Sequence, residues 1–267
     1  MSNGYGIIFD CDGVLADTEK HGHLPAFNLA FKQLDLPVQW TVDEYAVLLE
    51  IGGGKERLKS LFGETGALAG TKWNASSEDR ESLITKLHLQ KTDNYVEIVK
   101  QGAVPARSGV KRLVTEASQK GWRFAVASTS AEVSVRAILA HVLGPELSAS
   151  FSVFAGDIVP KKKPAPDIYQ LAVTKGEFDI DRTIAIEDSG IGARAAIAAG
   201  LPCLVTVSTF TEQDDFTNAA LVVSSLGDPG ADHSQVLNNP SKVLVKDYVS
   251  LDAIQQLIDA KRDSGSS

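Results

Sequence analysis

Long apolar runs are missing from this chain. No stretch reaches the roughly 18 consecutive apolar residues of a membrane-spanning helix, and the opening Met1-Ser2-Asn3-Gly4 begins no secretory leader. The expectation is a soluble protein with no membrane partner. Cysteine is scarce as well. Cys11 and Cys203 are the only two, each beside an apolar run, so a disulfide framework is excluded and two small buried hydrophobes in a reduced compartment are expected. Clustered cations of the kind that grip phosphate backbones are also absent. With a formal net charge of −8 over 267 residues, nucleic acid is not expected as a partner, whereas a small anion held by a few local cations remains compatible. Internal repeats and low-complexity segments are lacking too.

What remains is an ordinary globular composition, 43% hydrophobic and 22% charged, on a chain long enough for one large domain or a core with a smaller insertion. Short apolar runs recur at 5–9, 124–127, 153–155, 183–186, 203–207 and 221–223, and helical patterns at 110–119, 131–142, 167–175 and 191–199 lie between them. That alternation predicts an α/β fold with a Rossmann-like parallel sheet covered on both faces, whose ligands gather at the carboxyl ends of the strands. Between these runs, from about residue 20 to 103, the texture turns helical, with apolar periodicity at 24–34, 42–49, 55–62 and 78–99 and a Gly, Ala, Thr and Ser loop at 63–77. The reading is a core of residues 1–19 and 104–267 carrying an inserted α-helical cap of residues 20–103 over the sheet's ligand end. A last edge strand is expected at 241–245 and a last helix at 251–260, with 262–267 frayed.

Four of the expected strand ends carry chemistry. The first reads GIIFDCDGVLADTE over residues 6–19. Residues two apart on an extended segment point to one side, so Asp10 and Asp12 share a small volume, where two carboxylates repel unless a proton or a cation neutralises one. Gly13 then removes a side chain where the chain turns or a ligand approaches; taken alone, Asp12-Gly13 also suits a simple turn. The second strand end, Ala127-Ser128-Thr129-Ser130, offers hydroxyls and backbone N–H groups at a helix start, suited to phosphate oxygens or to plain capping. The third, Lys161-Lys162-Lys163-Pro164-Ala165-Pro166-Asp167, sets Lys163 before a proline-fixed turn. The fourth, Ile186-Glu187-Asp188-Ser189-Gly190, brings a second acidic pair. Together they supply hard oxygen ligands of the kind that suit Mg2+, which also binds substrate phosphate.

These four segments, in this order, resemble the signature set of the haloacid dehalogenase superfamily, in its phosphoryl-transfer branch with a helical cap after the first motif. The DxDG opening with its following Asp17-Thr18-Glu19, and the Lys163-Pro164-Ala165-Pro166-Asp167 block, are similar to the subgroup of β-phosphoglucomutase and the CbbY-type sugar phosphatases. The resemblance implies that Asp10 is the nucleophile and Asp12 the general acid and base. It implies that Asp10, the Asp12 carbonyl and Asp188, helped by Glu187, bind Mg2+, and that Ser128, the Thr129 backbone and Lys163 hold the transferred phosphoryl group. Within the cap, Glu50-Ile51-Gly52-Gly53-Gly54-Lys55-Glu56-Arg57 resembles the CbbY group, which removes a phosphate from xylulose 1,5-bisphosphate, an inhibitory by-product of Rubisco. Gly53, Gly54 and Lys55 with Lys91 are then expected around the substrate's second phosphate, with Arg57 and Arg107 as helpers. Glu19 and a following histidine are expected at the cap hinge. The tract Glu19-Lys20-His21-Gly22-His23 is one residue longer than the usual spacing, so His23 is favoured and His21 stays open.

The resemblance thus implies a Mg2+-dependent sugar-bisphosphate phosphatase working through an aspartyl phosphate. A phosphomutase of the β-phosphoglucomutase kind uses the same residues and stands as the alternative, with a non-catalytic binding protein as a remote third. The partner implied is a small phosphorylated sugar; a monomer is the default expectation, and the chloroplast stroma of a plant or alga and the cytoplasm of a bacterium both fit.

Overall fold

The computed structural model describes residues 4–74 and 76–264, the side chains of 262–264 excepted. The chain divides into two compact units, Met1–Asp17 with Ala106–Ser267, and Thr18–Pro105.

The first unit is built on a sheet. β1 (Gly6–Phe9), β2 (Arg123–Ser128), β3 (Phe151–Ala155), β4 (Thr183–Glu187), β5 (Cys203–Thr206), β6 (Leu221–Val223) and β7 (Val236–Asn238) stand in the order β3-β2-β1-β4-β5-β6-β7. All pairings are parallel except β6 with β7. The apolar runs explain this. Strands buried on both faces read as continuous hydrophobic stretches rather than alternating ones, and β1, β4, β5 and β6 are buried at every position. Around the sheet run the helices, numbered here in chain order after the four of the second unit: α5 (Val110–Gln119), α6 (Glu132–Leu143), α7 (Pro145–Ser148), α8 (Asp167–Lys175), α9 (Gly190–Ala198) and α10 (Leu251–Ser264).

Because β1 lies between β2 and β4, the order of strands reverses direction along the chain there. Ligands of open parallel sheets bind at such a switch point, outside the carboxyl ends. Phe9 is paired with both Val126 and Ile186, so the residues that follow β1, β2 and β4 emerge side by side.

The edge strand differs from expectation. Residues 241–245 form no strand; Val236–Asn238 pairs antiparallel with β6 instead. Asn239 explains the difference. Its side-chain amide donates to the Val243 carbonyl at 2.8 Å and its Oδ1 accepts from the Val243 N–H at 3.2 Å, so both backbone groups of Val243 serve a loop that turns at Lys242, where φ is 54°. α10 continues through Ser264 rather than fraying at 262, and residues 265–267 lie outside the described residues.

The second unit is helical: α1 (Leu24–Gln33), α2 (Val42–Leu48), α3 (Gly54–Ser60) and α4 (Ser77–Lys100), with a 3₁₀ turn at Lys72–Asn74 inside the expected loop. α2 starts with a full capping box, Thr41 and Glu44 each accepting from the other's backbone. Rings of Phe27, Phe31, Trp40 and Tyr45 interlock in its core. Asn28 pins Trp40 there by donating to its carbonyl and accepting from its N–H, both at 2.8 Å. Ahead of α1, Glu19–His23 forms a π-helical turn, the conformation that absorbs one extra residue into a helix. Among the described residues, no helix is long and apolar enough to cross a membrane.

Candidate active site

Four loops at the carboxyl edge of the sheet carry the acids, Lys163, Ser128 and Thr129 of the first unit. Asp10 leaves β1 with its N–H still on the Ile186 carbonyl at 2.8 Å, so its carboxylate stands next to the end of β4. Glu187 closes β4 and Asp188 follows it; α9 begins two residues on, with the Ser189 hydroxyl accepting from Gly192 N–H. Lys163 precedes the turn into α8, and its ammonium bridges Asp10 Oδ1 and Glu187 Oε1, each at 2.6 Å. Ser128 ends β2, fully buried, with Thr129 half-buried after it. Its Oγ accepts from Ser130 N–H at 3.1 Å, and the Ser130 hydroxyl donates to Asp12 Oδ2 at 2.5 Å.

The charge balance of this group is negative. Burial, opposed by Lys163 and reinforced by Glu187 and Asp12, pushes the Asp10 carboxyl up to about 8. For Lys163, burial works against the ammonium, but Asp10 and Glu187 outweigh it and raise its pKa above the ordinary lysine value. One lysine thus does not fully compensate the acids beside it. Asp10, Glu187 and Asp188 each offer a carboxylate oxygen within 4.8 Å of the others. A set made only of hard oxygen donors, with negative charge in excess, fits Mg2+ rather than a thiophilic metal. Gly13 adds to the fit: its φ is 76°, and a Cβ there would run into the Asp188 carboxylate. Gly192 is under the same constraint from Glu187, where any Cβ would occupy the carboxylate's place.

Two residues outside the four segments also join the group. Tyr169 on α8, fully buried, donates from its hydroxyl to Glu187 Oε1 at 2.5 Å, and Ser208, after β5, donates to Asp188 Oδ2 at 2.7 Å. With Ser130 they are the partners that reading the sequence did not identify. Ser130 stood among hydroxyls read as suited to phosphate oxygens or to capping rather than to Asp12, and the other two sit in apolar or loop sequence whose partners are 18 and 20 residues away. Arg107 also belongs to this unit. One guanidinium nitrogen donates to the carbonyls of Val207 at 2.7 Å and Ser224 at 2.9 Å, ties that hold the ends of β5 and β6. Burial lowers its pKa, against the pull of Asp188 and Asp17. Cys11 and Cys203 are both buried and not joined in a disulfide. Burial and then Glu187 push the Cys203 thiol well above its usual range, which suits an inert packing residue.

The remaining expected residues lie in the second unit. Gly53, at φ 105°, precedes α3, whose first residues are Gly54 and the half-buried Lys55. Arg57 is buried: Nε donates to the Ile51 carbonyl at 3.1 Å, and one terminal nitrogen donates to the Tyr45 hydroxyl at 3.0 Å and lies 3.6 Å from Glu19. The Tyr45 hydroxyl in turn donates to Glu19 at 2.6 Å. Of the two histidines, His23 is the buried one, stacked on Tyr95 with ring centroids 4.2 Å apart and with Nδ1 2.8 Å from the Lys91 ammonium. The ammonium also lies over the rings of Phe27 and Tyr95, at 4.9 and 5.3 Å. His21 is only half-buried.

The chain has clear relatives. The haloacid dehalogenase-like hydrolase family matches residues 6–200. A CBBY-like protein of Arabidopsis thaliana is 46% identical over 84% of this chain and 69% of its own length. A CbbY protein of Cupriavidus necator is 39% identical over 84% of this chain and 86% of its own. Among solved structures, CbbY from Rhodobacter sphaeroides in complex with phosphate aligns over 85% of this chain and 96% of its own, at 36% identity and a TM-score of 0.74. The same relative, as an aspartate-to-asparagine mutant in complex with xylulose 1,5-bisphosphate, aligns equally well. Sequence, sheet order and the buried acids agree: the chain belongs to the haloacid dehalogenase-like hydrolases and, among them, to the CbbY-type phosphatases.

Proposed function

We propose that this phosphatase is Mg2+-dependent and hydrolyses a sugar bisphosphate, xylulose 1,5-bisphosphate first of all, through an aspartyl phosphate on Asp10. The observation that carries the reading is the buried group of Asp10, Glu187, Asp188 and Lys163 at the switch point of the sheet. The choice of sugar rests on the complex of the 36% identical relative with that compound.

Asp10, Glu187 and Asp188 would hold Mg2+, which would supply positive charge for the phosphate oxygens. Asp10 attacks phosphorus in line and splits one displacement into two. Asp12, held by the Ser130 hydroxyl, gives a proton to the leaving sugar oxygen and afterwards takes one from the attacking water. Ser128, the Thr129 backbone and Lys163 hold the equatorial oxygens as charge spreads over them. The Asp12 carbonyl would be a further ligand for the metal.

In the second unit, Lys55, Lys91 and the Gly53-Gly54 backbone receive the second phosphate, and Glu19 and His23 meet the sugar hydroxyls. An ammonium buried among aromatic rings, as Lys91 is, is costly to desolvate, and a phosphate dianion offsets that cost. Arg57 helps by holding Glu19, directly and through Tyr45; Arg107 helps by holding the strand ends near Asp188. The protein works as a monomer, in the compartment that holds Rubisco: the chloroplast stroma of a plant or alga, or a bacterial cytoplasm.

The test is phosphate release from xylulose 1,5-bisphosphate by the wild type and by Asp10→Asn, with Mg2+ and with chelator. Release that needs both Mg2+ and Asp10 is expected. Undiminished release by Asp10→Asn would overturn the mechanism.

A further inference from the structure

The acids at the end of β4 are held by hydroxyl groups that none of the four motif segments contains. Tyr169 reaches Glu187 Oε1 from α8, sharing that oxygen with Lys163. Ser208 reaches Asp188 Oδ2 from the loop after β5. Both donors are themselves fixed. The Tyr169 ring is embedded in the apolar layer with Ile8, Ala172 and Ala185, and the Lys163 ammonium stands 4.9 Å from its centroid. Ser208 N–H donates to the Thr211 hydroxyl at 2.9 Å, and the two hydroxyl oxygens are 3.1 Å apart.

A carboxylate that swings about its last torsion offers a cation either oxygen at random; one whose first oxygen already accepts from a rigid donor offers a defined geometry. Here Asp10 Oδ1, Glu187 Oε1 and Asp188 Oδ2 all accept from protein donors. We propose that Tyr169 and Ser208 are positioning residues for the metal-binding acids, each pinning one oxygen of its carboxylate and thereby setting the affinity of the site for Mg2+. The proposal rests on the Mg2+-dependent reading of the site. The two hydroxyls donate to Glu187 and Asp188, and it is through these acids that they act.

Two variants remove the donors with little change of volume: Tyr169→Phe, which keeps the ring in its apolar layer, and Ser208→Ala. Affinity is read without turnover, from the rise in melting temperature of the whole protein across a Mg2+ titration, since a ligand that binds the folded state raises stability with its concentration. Partners that orient metal ligands are worth about 10-fold or more in affinity, so each variant is expected to need about 10-fold more Mg2+ for the same rise. Phosphate release should shift to higher Mg2+ by the same factor, while the sugar KM at saturating Mg2+ stays within about 2-fold. Ser208→Thr, which restores a hydroxyl, should recover affinity. Wild-type Mg2+ affinity in both donor-deleted variants would overturn the proposal. Failure of the functional reading looks different: the wild type would then bind Mg2+ as expected yet release no phosphate.

Discussion

Gly13 shows how tightly single residues are specified at this site. Its φ of 76° lies in the left-handed region, and the space where a side chain would begin is taken by the Asp188 carboxylate. Alanine there costs roughly 1–2 kcal/mol of backbone strain and also pushes Asp188, one of the acids proposed to bind the metal, out of place. Misplacing a reacting or ligating group by about 1 Å costs on the order of 100-fold in rate. Gly13→Ala is therefore expected to lower phosphate release about 100-fold or more and to lower the melting temperature, measured by steady-state assay and calorimetry; near-normal turnover would mean that the loop does not need this fit. At the same scale, what was readable in advance follows from what carries a local signal. Asp10, Asp12, Glu187 and Asp188 announce themselves because acids rarely end apolar runs. Tyr169, Ser208 and Ser130 carry no such signal. A tyrosine in a helical pattern and a serine after a strand are ordinary, and their meaning depends on partners 18, 20 and 118 residues away.

At the scale of elements, the parallel strands were legible because burial on both faces leaves continuous apolar runs, and the helices because each buries one stripe. The edge strand was misplaced for an equally physical reason. Residues 241–245 and 236–238 both contain short apolar stretches, and the choice between them is made by the Asn239 amide on Val243 and the turn at Lys242, which periodicity does not register. The π-helical turn at Glu19–His23 belongs here too: the irregular spacing of Glu19 and His23 was visible, its conformation was not. α2 offers an element-scale prediction through its capping box. The Thr41 backbone and then the Thr41 hydroxyl lower the Glu44 pKa by donating to its carboxylate. A depressed carboxylate stabilises the fold above its unfolded pKa, and that contribution is lost as pH falls through the folded value. The melting-temperature deficit of Glu44→Ala should thus be larger at neutral pH than in acid, below the ordinary glutamate range. An equal deficit at both would indicate that the carboxylate's charge plays no part in the cap.

The whole molecule is built from two compact units. The α/β unit assembles acids, a lysine and hydroxyls from four strand ends at the one place where the sheet's winding reverses, and that assembly suits phosphoryl transfer whatever the rest of the substrate is. Under the proposed function, selection falls to residues of the helical unit, where cations and histidine are buried among aromatic rings. The fold and the grouping of the acids with Lys163 were therefore legible from order and spacing along the chain, while the proposed roles and substrate were suggested only by likeness to CbbY-type relatives, because side chains that select a sugar carry no obligatory pattern. The proposed selection of a sugar bisphosphate by the helical unit is open to a direct test. That test is kcat/KM for phosphate release, with Mg2+, from xylulose 1,5-bisphosphate against ribulose 1,5-bisphosphate, β-glucose 1-phosphate and phosphoglycolate. A preference for the xylulose compound of about 100-fold or more is expected, the discrimination that roughly 2.7 kcal/mol of second-phosphate and hydroxyl contacts provides. A flat profile, or conversion of β-glucose 1-phosphate to the 6-phosphate faster than phosphate is released from any bisphosphate, would contradict it.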